Sequence, residues 1–303
     1  MKMRVRSRLR DRGERLPGRK ASLMRRIPFE SLAAALADII EKTNRLLPDD
    51  VLGAVSRARE AEHSALARTI LDQIIENARI ASAESVPLCQ DTGTAVFFVD
   101  MGEDARVEDP GIEEAVQEAT RRGYRGGGLR MSMVRDSLRR VNTGDNTPAI
   151  IHYRIIPGDA LRIAFCPKGG GCENASRLAM LSPGDGRDGV VRFVLETIRI
   201  GGGRPCPPVI AGVGLGGDFE ASAILAKRAL LRKMGERNAD PFYAGLEIEL
   251  LERINALGIG PMGLGGRTTA LEVFVEAAPC HIASLPAAVN IQCHSARHGE
   301  MEL

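Results

Sequence analysis

The amino-acid sequence predicts an α+β fold, in which an N-terminal helical region packs on a mixed α/β body. Two observations support this class. Apolar residues recur with a helical period from about residue 27 to residue 80. Beyond residue 86, segments in which apolar and polar residues alternate, as in half-buried strands, are mixed with further helical segments. We expect a basic disordered extension over residues 1–23, a helical region over 24–85 and an α+β domain over 86–303.

Apolar stripes define the helices expected in the helical region. Leu32, Leu36 and Ile40 lie on one face of the first helix. Pro48, followed by two aspartates, is expected to end that helix and to cap the next one, because Pro cannot continue a helix and Asp is a favoured cap. Apolar residues three or four positions apart between residues 66 and 75 predict a third helix.

The body begins with an apolar run at residues 95–99 that predicts a buried strand. Residues 151–155 and 161–165 alternate in polarity and flank a Pro-Gly-Asp turn, so they predict a β-hairpin. Helices are expected further along the chain near residues 188–200, 219–234 and 242–257, and strands near 207–213, 270–278 and 287–292.

The net charge of +2 hides an uneven distribution. Residues 1–26 hold 11 of the 41 Lys and Arg residues and only two acids, so the rest of the chain has a net charge of −7. This mildly acidic body argues against a nucleic-acid partner. The basic leader lacks the apolar core of a secretory signal, and we expect it to be disordered or to lie upstream of a start at Met24.

The apolar and cysteine content indicates the compartment. No apolar run reaches the length of a membrane span, so no membrane partner is expected. The six cysteines are spread through a large chain, unlike those of a small secreted disulfide scaffold. We therefore expect a cytoplasmic protein.

The stretch over residues 86–94 is the first candidate for chemistry. It places a thiol, an amide and a carboxylate at consecutive positions, as Cys89, Gln90 and Asp91, at the mouth of the expected buried strand. The Thr-Gly pair that follows lets the backbone approach a bound group closely. Taken alone, a buried cysteine beside a polar turn is the simpler interpretation.

Glycine runs lie beside cations and thiols at three later points. The runs cover residues 126–128, 169–171 and 201–203; the first precedes Arg130 and the third leads to Cys206. Backbone N–H groups in such loops suit an anion. Loops that only connect secondary-structure elements are the alternative.

Two other cofactor hypotheses stay open. Residues 212–217 contain G-x-G-x-x-G between an expected strand and an expected helix, the setting of a dinucleotide site, although no second strand ending in an acid follows. Such a site would belong to a nicotinamide-dependent oxidoreductase. The pair Cys280-His281 and the stretch from Cys293-His294 to His298 could supply tetrahedral zinc ligands, although no C-x-x-C pair accompanies them.

Thiols on distant segments, without a histidine or carboxylate at equivalent spacing, fit an iron–sulfur cluster. A cubane cluster held by three cysteines leaves one iron without a protein ligand. That iron is a Lewis acid that can bind a substrate oxygen and stabilise a leaving hydroxide. Basic side chains and glycine amides would then hold a small dicarboxylate.

Several segments together resemble the α subunit of the two-subunit class I fumarases and tartrate dehydratases, which are iron–sulfur hydro-lyases. The matching segments are LCQDTGT (88–94), NTGDNTP (142–148), KGGGCEN (168–174), CPP (206–208), CHIAS (280–284) and NIQC (290–293). Together they extend over essentially all of the chain from Met24 onward, whereas residues 1–23 depart from the pattern.

The resemblance implies a cofactor and its ligands. Cys89, Cys206 and Cys293 match the three cysteines that bind a [4Fe-4S] cluster with one iron lacking a protein ligand. The other thiols have no such role, and we expect Cys166 and Cys172 to lie behind the ligands or in the core. The 86–303 domain would then be the iron–sulfur catalytic domain.

The resemblance also implies substrate contacts and a reaction. Gln90, Asp91, Arg130, Gly171 and His281 match positions that contact the dicarboxylate. The reaction would be reversible anti-addition of water to fumarate to give L-malate. Arg130 and the Gly171 N–H would hold a carboxylate, while Asp91 with His281 would handle the hydroxyl proton. Without the resemblance, a solvated charge and a satisfied core histidine are the simpler interpretations of Arg130 and His281.

The resemblance implies a partner as well. In single-chain members a second domain supplies the residues that move the C3 proton, so a separate β subunit would complete the active site here, in an α2β2 assembly. The 142–148 and 291–293 motifs look closer to the fumarase members, and L(+)-tartrate is the alternative substrate. A non-catalytic partner or assembly chain is the alternative of another class.

Overall fold

The computed structural model describes residues 24–303, and the basic extension predicted over residues 1–23 lies outside the described residues. The helices are α1 (Phe29–Arg45), α2 (Asp49–Ala61), α3 (Ala65–Glu84), α4 (Ile112–Gly126), α5 (Gly170–Ala175), α6 (Gly186–Gly201), α7 (Phe219–Ala229) and α8 (Pro241–Asn255). The strands are β1 (Arg25–Ile27), β2 (Thr94–Gly102), β3 (Ala105–Val107), β4 (Ile150–Ile156), β5 (Leu161–Lys168), β6 (Arg177–Leu181), β7 (Val209–Gly217), β8 (Ala270–Cys280), β9 (Leu285–Gln292) and β10 (Gly299–Glu302). The predicted α+β class is confirmed. No helix within residues 24–303 is both long and apolar enough to cross a membrane.

The predicted buried strand β2 is central to the first of two four-stranded sheets. This sheet has the order β10-β5-β2-β4, and β2 pairs antiparallel with β5 and parallel with β4. Ala95, Phe97 and Val99 on one face of β2 join an apolar cluster with α1 and α4. Because β2 has a neighbouring strand on each side and is buried on both faces, its sequence is a continuous apolar run.

The predicted hairpin is wrong in its pairing, although both of its strands form. β2 lies between β4 and β5 and hydrogen-bonds to each of them. The connecting turn crosses the end of β2, where the Gly102 N–H donates to Ala160 O at 2.7 Å and the Asp104 N–H donates to Gly158 O at 2.9 Å. A buried strand needs partners for its backbone groups on both edges, and this arrangement supplies them.

The second sheet has the order β6-β9-β7-β8 and carries helices on both faces. Along β7, Val209, Ala211 and Val213 pack on the side of α6 and α8. The alternate residue Ile210 packs on the opposite side, in a cluster with Val51 of α2 and residues at the end of α7. The predicted strands near 207–213, 270–278 and 287–292 are therefore three neighbours in one sheet.

The glycine pattern at 212–217 lies within β7 and does not form a phosphate-binding turn. At Gly212 and Gly214 an added Cβ atom would collide with the backbone oxygens of Ala226 and Ser222 in α7. The glycines therefore let α7 pack closely on the sheet. This packing explains the pattern, and the structure gives the dinucleotide hypothesis no support.

The N-terminal helices contribute to the cores of both sheets. Leu32 and Leu36 of α1 pack in the cluster of the first sheet, whereas α2 packs on the second. α1 ends at Arg45 and α2 begins at Asp49, as Pro48 predicts, but no side-chain cap forms there. The division between a 24–85 region and an 86–303 domain stays a prediction.

Glu62 joins the helical region to a loop more than 200 residues away. Its side chain is buried, with 1% of its surface exposed. The carboxylate accepts hydrogen bonds from the N–H groups of His63 at 2.8 Å, Ser64 at 3.0 Å and Arg267 at 2.7 Å. Burial opposes ionisation, but these backbone donors outweigh it and hold the pKa of Glu62 below its usual value.

We expect Glu62→Gln to lower the free energy of unfolding at pH 7 by about 1–3 kcal/mol, because its NH2 group faces a backbone donor whichever way the amide is turned. A lowered folded-state pKa means that the stabilisation is present above the unfolded value of about 4.3 and is lost as the pH falls through the folded value. The difference from wild type, measured by urea unfolding, should therefore shrink at acidic pH.

The exposed Glu60, in the last turn of α2 two residues before Glu62, provides the matched control, Glu60→Gln. Equal unfolding free energies for the two variants at pH 7 would contradict the role assigned to Glu62.

Candidate active site

Two helices anchor the loop that carries Cys89. The Leu88 N–H donates to Asn44 O in α1 at 2.8 Å, and Asn77 Nδ2 in α3 donates to Leu88 O at 2.9 Å. The Leu88 side chain is buried as well. The next residue, Cys89, is half-buried, and its sulfur accepts the Asp91 N–H at 3.4 Å. The thiol is thus held by a loop in which both backbone groups of Leu88 are hydrogen-bonded to the helices.

The Asp91 carboxylate joins two loops. Its Oδ1 accepts the Gly93 N–H at 3.0 Å, and its Oδ2 accepts the Gly170 N–H at 2.8 Å. Gly93 has φ +71°, and a Cβ atom there would lie 2.7–2.8 Å from backbone atoms of Lys168. Only glycine permits this close approach. The predicted polar turn therefore docks on the start of the glycine run at residues 169–171.

Buried polar side chains hold the backbone behind Asp91. The Tyr124 hydroxyl lies 2.8 Å from Thr92 O and 3.0 Å from Gly93 O. Burial raises the pKa of Tyr124, so the hydroxyl stays protonated and can donate. Asn146 Nδ2 donates to Gly93 O at 3.2 Å, while its Oδ1 accepts the Ser132 N–H at 2.7 Å. The 142–148 motif thus supports the Asp91 loop.

Cys206 and Cys293 lie on adjoining loops at one end of the two central strands of the second sheet, β7 and β9. Cys206 comes just before β7 and Cys293 just after β9, and these antiparallel strands pair Ile210 with Gln292. The His294 N–H lies 3.5 Å from Cys206 O. Cys206 has φ +54°, a strained backbone conformation for a residue with a Cβ atom. Antiparallel pairing therefore brings together two thiols that are far apart in sequence.

The three predicted ligand thiols are close enough to affect one another's ionisation. Burial raises the pKa of Cys206, and the thiols of Cys293 and Cys89 raise it further. Burial also raises the pKa of Cys89, and the Cys293 thiol adds to the effect. Negative charge on one thiol disfavours it on the next, so the three thiolates together need a positively charged partner.

Cys172 lies behind these thiols. It is buried in α5, and its sulfur is 3.7 Å from Pro205 O. Its side chain interacts with that of Cys293, and this interaction raises the pKa of Cys172 and lowers the pKa of Cys293. Cys166 is buried in β5.

A cleft of about 360 Å³ opens beside the Asp91 carboxylate. Gln90, Asp91, Arg130 and Lys168 supply its ionic and amide groups. The Arg130 side chain is exposed, and its guanidinium forms no ion pair with a carboxylate of residues 24–303. It is therefore available to an anionic ligand in the cleft.

Lys168 is the buried cation of the cleft wall, with 3% of its surface exposed. Its Nζ donates to Ile291 O at 2.6 Å and pairs with Glu173 at 3.3 Å. Lys227 pairs with the same carboxylate at 2.6 Å. These contacts tie the end of β5 to β9 two residues before Cys293, so Lys168 holds the wall together.

The remaining two predicted contact residues, Gly171 and His281, are not among the residues that line this cleft. Gly171 is exposed at the start of α5, next to the Gly170 N–H that holds Asp91. His281 is exposed beyond β8, and its Nδ1 accepts the Ala283 N–H at 3.1 Å. No hydrogen bond within the described part of the chain joins His281 to Asp91, and His281 does not line the cleft. Their joint role in proton transfer stays a prediction.

Sequence reasoning missed Arg297. The side chain is buried, and its Nη2 donates to Asp91 O at 3.0 Å. Arg297 lies between Cys293 and His298, in the C-terminal stretch considered for zinc, but the sequence analysis gave it no role. A basic residue four positions after a predicted ligand cysteine was the signal that could have identified it.

The residues present fit a cluster better than a single ion. Between residues 24 and 303, no three His, Cys, Asp or Glu side chains are grouped around one metal position, so the zinc hypothesis gains no support. Cys280 instead donates to Ser284 O at 3.4 Å. The donor set fits a cluster, because Cys89, Cys206 and Cys293 are free thiols on three loops and iron–sulfur clusters are held by cysteine thiolates.

Comparison with known proteins adds independent information. The fumarate hydratase (fumerase) family profile matches residues 33–302. The chain is 43% identical over 271 residues to a Methanocaldococcus jannaschii protein named "Putative L(+)-tartrate dehydratase subunit alpha", a match covering 88% of this chain and 95% of that protein. It is 35% identical over 279 residues to the L(+)-tartrate dehydratase subunit alpha of Escherichia coli strain K12, covering 89% and 90%.

Hydratases and dehydratases catalyse the addition and removal of water, so the class that these matches define is that of the hydro-lyases. The chain belongs to the fumarate hydratase (fumerase) family. The resemblance noted from the sequence motifs is thereby confirmed.

Proposed function

We propose that this chain is the α subunit of a [4Fe-4S] hydro-lyase that reversibly hydrates fumarate to L-malate, together with a separate β subunit. The observation that carries the proposal is the meeting of three loops: the Cys89 sulfur accepts the Asp91 N–H, the His294 N–H lies 3.5 Å from Cys206 O, and the loop after Cys293 contacts Asp91 O through Arg297. Soft thiolate ligands on three loops suit an iron–sulfur cluster. The names of the relatives, which are α subunits of dehydratases, support the same class.

In this proposal the three cysteines hold the cluster, which supplies an iron with an open position that acts as a Lewis acid on a substrate oxygen. The residues of the cleft hold the dicarboxylate. The unpaired Arg130 guanidinium binds one carboxylate through two N–H groups, and the exposed Gly171 N–H donates to it. Gln90, at the cleft wall, supplies an amide that can hydrogen-bond the substrate.

Asp91 is the proposed acceptor of the hydroxyl proton. Each of its oxygens is already held by one backbone N–H, so the carboxylate has a set orientation and still has free lone pairs. His281 is the proposed partner, since imidazole suits proton transfer near neutral pH. Its position outside the cleft means that closure over bound substrate, or docking of the β subunit, has to bring it closer.

The β subunit is proposed to supply the base on the opposite face of the substrate. Anti-addition places the proton and the hydroxyl on opposite faces of the substrate, so a group that acts on one face cannot serve the other. We propose an α2β2 assembly, which light scattering of the purified complex can test. A non-catalytic α chain is the competing interpretation, and it requires that the assembled complex show no turnover.

L(+)-tartrate is the second candidate substrate, and the names of the curated relatives favour it. The two substrates differ by hydroxyl groups, and both carry the two carboxylates that the cleft is proposed to bind. Comparing kcat/KM for L-malate and L(+)-tartrate on the same assembled enzyme distinguishes them.

Replacing Cys89, Cys206 or Cys293 by Ser should abolish iron and sulfide uptake during anaerobic reconstitution, because each change removes one of three thiolate ligands. Cys280→Ser is the matched control, since Cys280 is also an accessible thiol, exposed at the end of β8, but is hydrogen-bonded to Ser284 O. Iron, sulfide and the visible spectrum are measured. Full iron content in all three ligand variants would refute the ligand assignment.

Arg130→Lys should keep the charge but lose the two-pronged contact with a carboxylate. We expect transition-state binding to weaken by about 2–4 kcal/mol, seen as a large fall in kcat/KM with unchanged iron content. Arg125→Lys, at an exposed position near the end of α4, is the control. A kcat/KM within about twofold of wild type would make Arg130 an ordinary surface charge.

The reconstituted α chain alone should not hydrate fumarate, and addition of the β chain should restore turnover. The comparison uses α chain with and without reconstituted cluster, each assayed with and without the β chain under anaerobic conditions. Only the sample that contains both cluster and β chain is expected to be active. Full turnover by the α chain alone would overturn the shared active site.

A further inference from the structure

Residues 129–133 lie along the cleft beside Asp91. Exposure alternates in this segment: Arg130 and Ser132 are exposed and line the cleft, whereas the residues between and on either side of them are buried or partly buried. Such alternation is typical of an extended segment, in which every second side chain lies on the same side. Ser132 therefore lies beside Arg130 on the side of the segment that meets the cleft.

Hydrogen bonds from side chains hold the backbone of this segment. The Thr92 hydroxyl, one residue after Asp91, donates to Arg130 O at 2.9 Å. The fully buried Asn146 accepts the Ser132 N–H at 2.7 Å and the next N–H along the chain at 3.1 Å, both at its Oδ1. The position of Ser132 relative to the Asp91 turn is thus fixed by the protein before any ligand binds.

The Ser132 hydroxyl is available to a ligand. Two hydroxyl side chains line the described cleft, those of Thr94 and Ser132. The Thr94 hydroxyl contacts Met133 Sδ at 3.4 Å. The Ser132 hydroxyl forms no hydrogen bond with any atom of residues 24–303. A serine hydroxyl can donate one hydrogen bond and accept others, so Ser132 matches a ligand that also carries a hydroxyl group.

The candidate substrates differ in this chemical group. L-Malate and L(+)-tartrate carry the same two carboxylates, but tartrate has a hydroxyl on each central carbon and malate on one only. A diacid whose carboxylate binds the Arg130 guanidinium brings its central carbons toward the neighbouring side chain along the segment, which is Ser132.

We propose that Ser132 is a specificity-determining residue, whose hydroxyl hydrogen-bonds the hydroxyl that a dihydroxy diacid such as L(+)-tartrate has and L-malate lacks. This inference rests on the proposed function and on the carboxylate contact of Arg130. Water can replace the missing partner because Ser132 is exposed. The preference is therefore about tenfold, far from the about 10⁴-fold of sites whose buried polar groups are left unpaired.

The test uses the assembled enzyme, with cluster-reconstituted α chain and the β chain. Ser132→Ala removes the hydroxyl and Ser132→Thr keeps it. Ser137→Ala is the matched control, because Ser137 is an exposed serine five residues further along the chain that does not line the cleft. The measurements are kcat/KM for L(+)-tartrate and for L-malate, and the inhibition constant of succinate, a diacid without hydroxyl groups. If tartrate turnover is too slow to follow, its inhibition constant against L-malate takes its place.

We expect Ser132→Ala to lower the ratio of kcat/KM for tartrate to that for malate by about tenfold, because one substrate hydrogen bond is lost. Ser132→Thr should keep the ratio within about threefold of wild type, and Ser137→Ala should leave it unchanged. Iron content and urea unfolding should match wild type, since the Ser132 hydroxyl holds no described protein atom.

Three results would overturn the proposal. An unchanged ratio in Ser132→Ala would show that its hydroxyl does not contact the substrate. An equal fall in Ser132→Thr would assign the effect to the shape of the cleft. Succinate inhibition weakened about tenfold in Ser132→Ala would show that binding of the carboxylates had changed.

Failure of this inference is distinguishable from failure of the proposed function. If the wild-type assembly turns over neither L-malate nor L(+)-tartrate, the proposed function is wrong and the role of Ser132 falls with it. If the wild type is active and the ratio does not respond to Ser132→Ala, only the role of Ser132 is wrong.

Discussion

The hydrogen bonds to Asp91 are the constraint on which the rest of the site depends. Its carboxylate accepts the N–H groups of Gly93 and Gly170, and its carbonyl oxygen accepts Arg297. One residue therefore joins the start of β2, the start of α5 and the C-terminal loop. Cys89 lies two positions before it. The placement of that thiol relative to the C-terminal loop depends on this single junction.

The ionisation of the thiols near this junction is a second constraint on the site. Burial and mutual repulsion raise the pKa values of Cys89 and Cys206, so these thiols resist ionisation on their own. The buried cations Lys168 and Arg297 differ in their partners, since only Lys168 has a carboxylate partner in the described part of the chain. Metal binding requires deprotonated cysteine ligands, so the proposed cluster would supply the positive charge that these thiols need in order to ionise.

Strand pairing brings the loops together. Antiparallel β2 and β5 pair Thr94 with Lys168, which places the Asp91 turn beside the glycine run at residues 169–171. Antiparallel β7 and β9 pair Ile210 with Gln292, which places Cys206 beside Cys293. Local motifs thus become one site because the end of one strand lies next to the beginning of its antiparallel partner.

The sequence by itself determined the elements and the motif residues, because both depend on near neighbours in the chain. Helical periodicity placed α1 and α3, the apolar run placed β2, and the cysteine motifs indicated the family. The tertiary structure alone decided that β2 separates β4 from β5 and that Gly212 and Gly214 serve close packing of α7. It also decided that Arg297 meets Asp91, 206 residues away. Strand order and charge compensation arise between groups distant in sequence, and no local pattern records them.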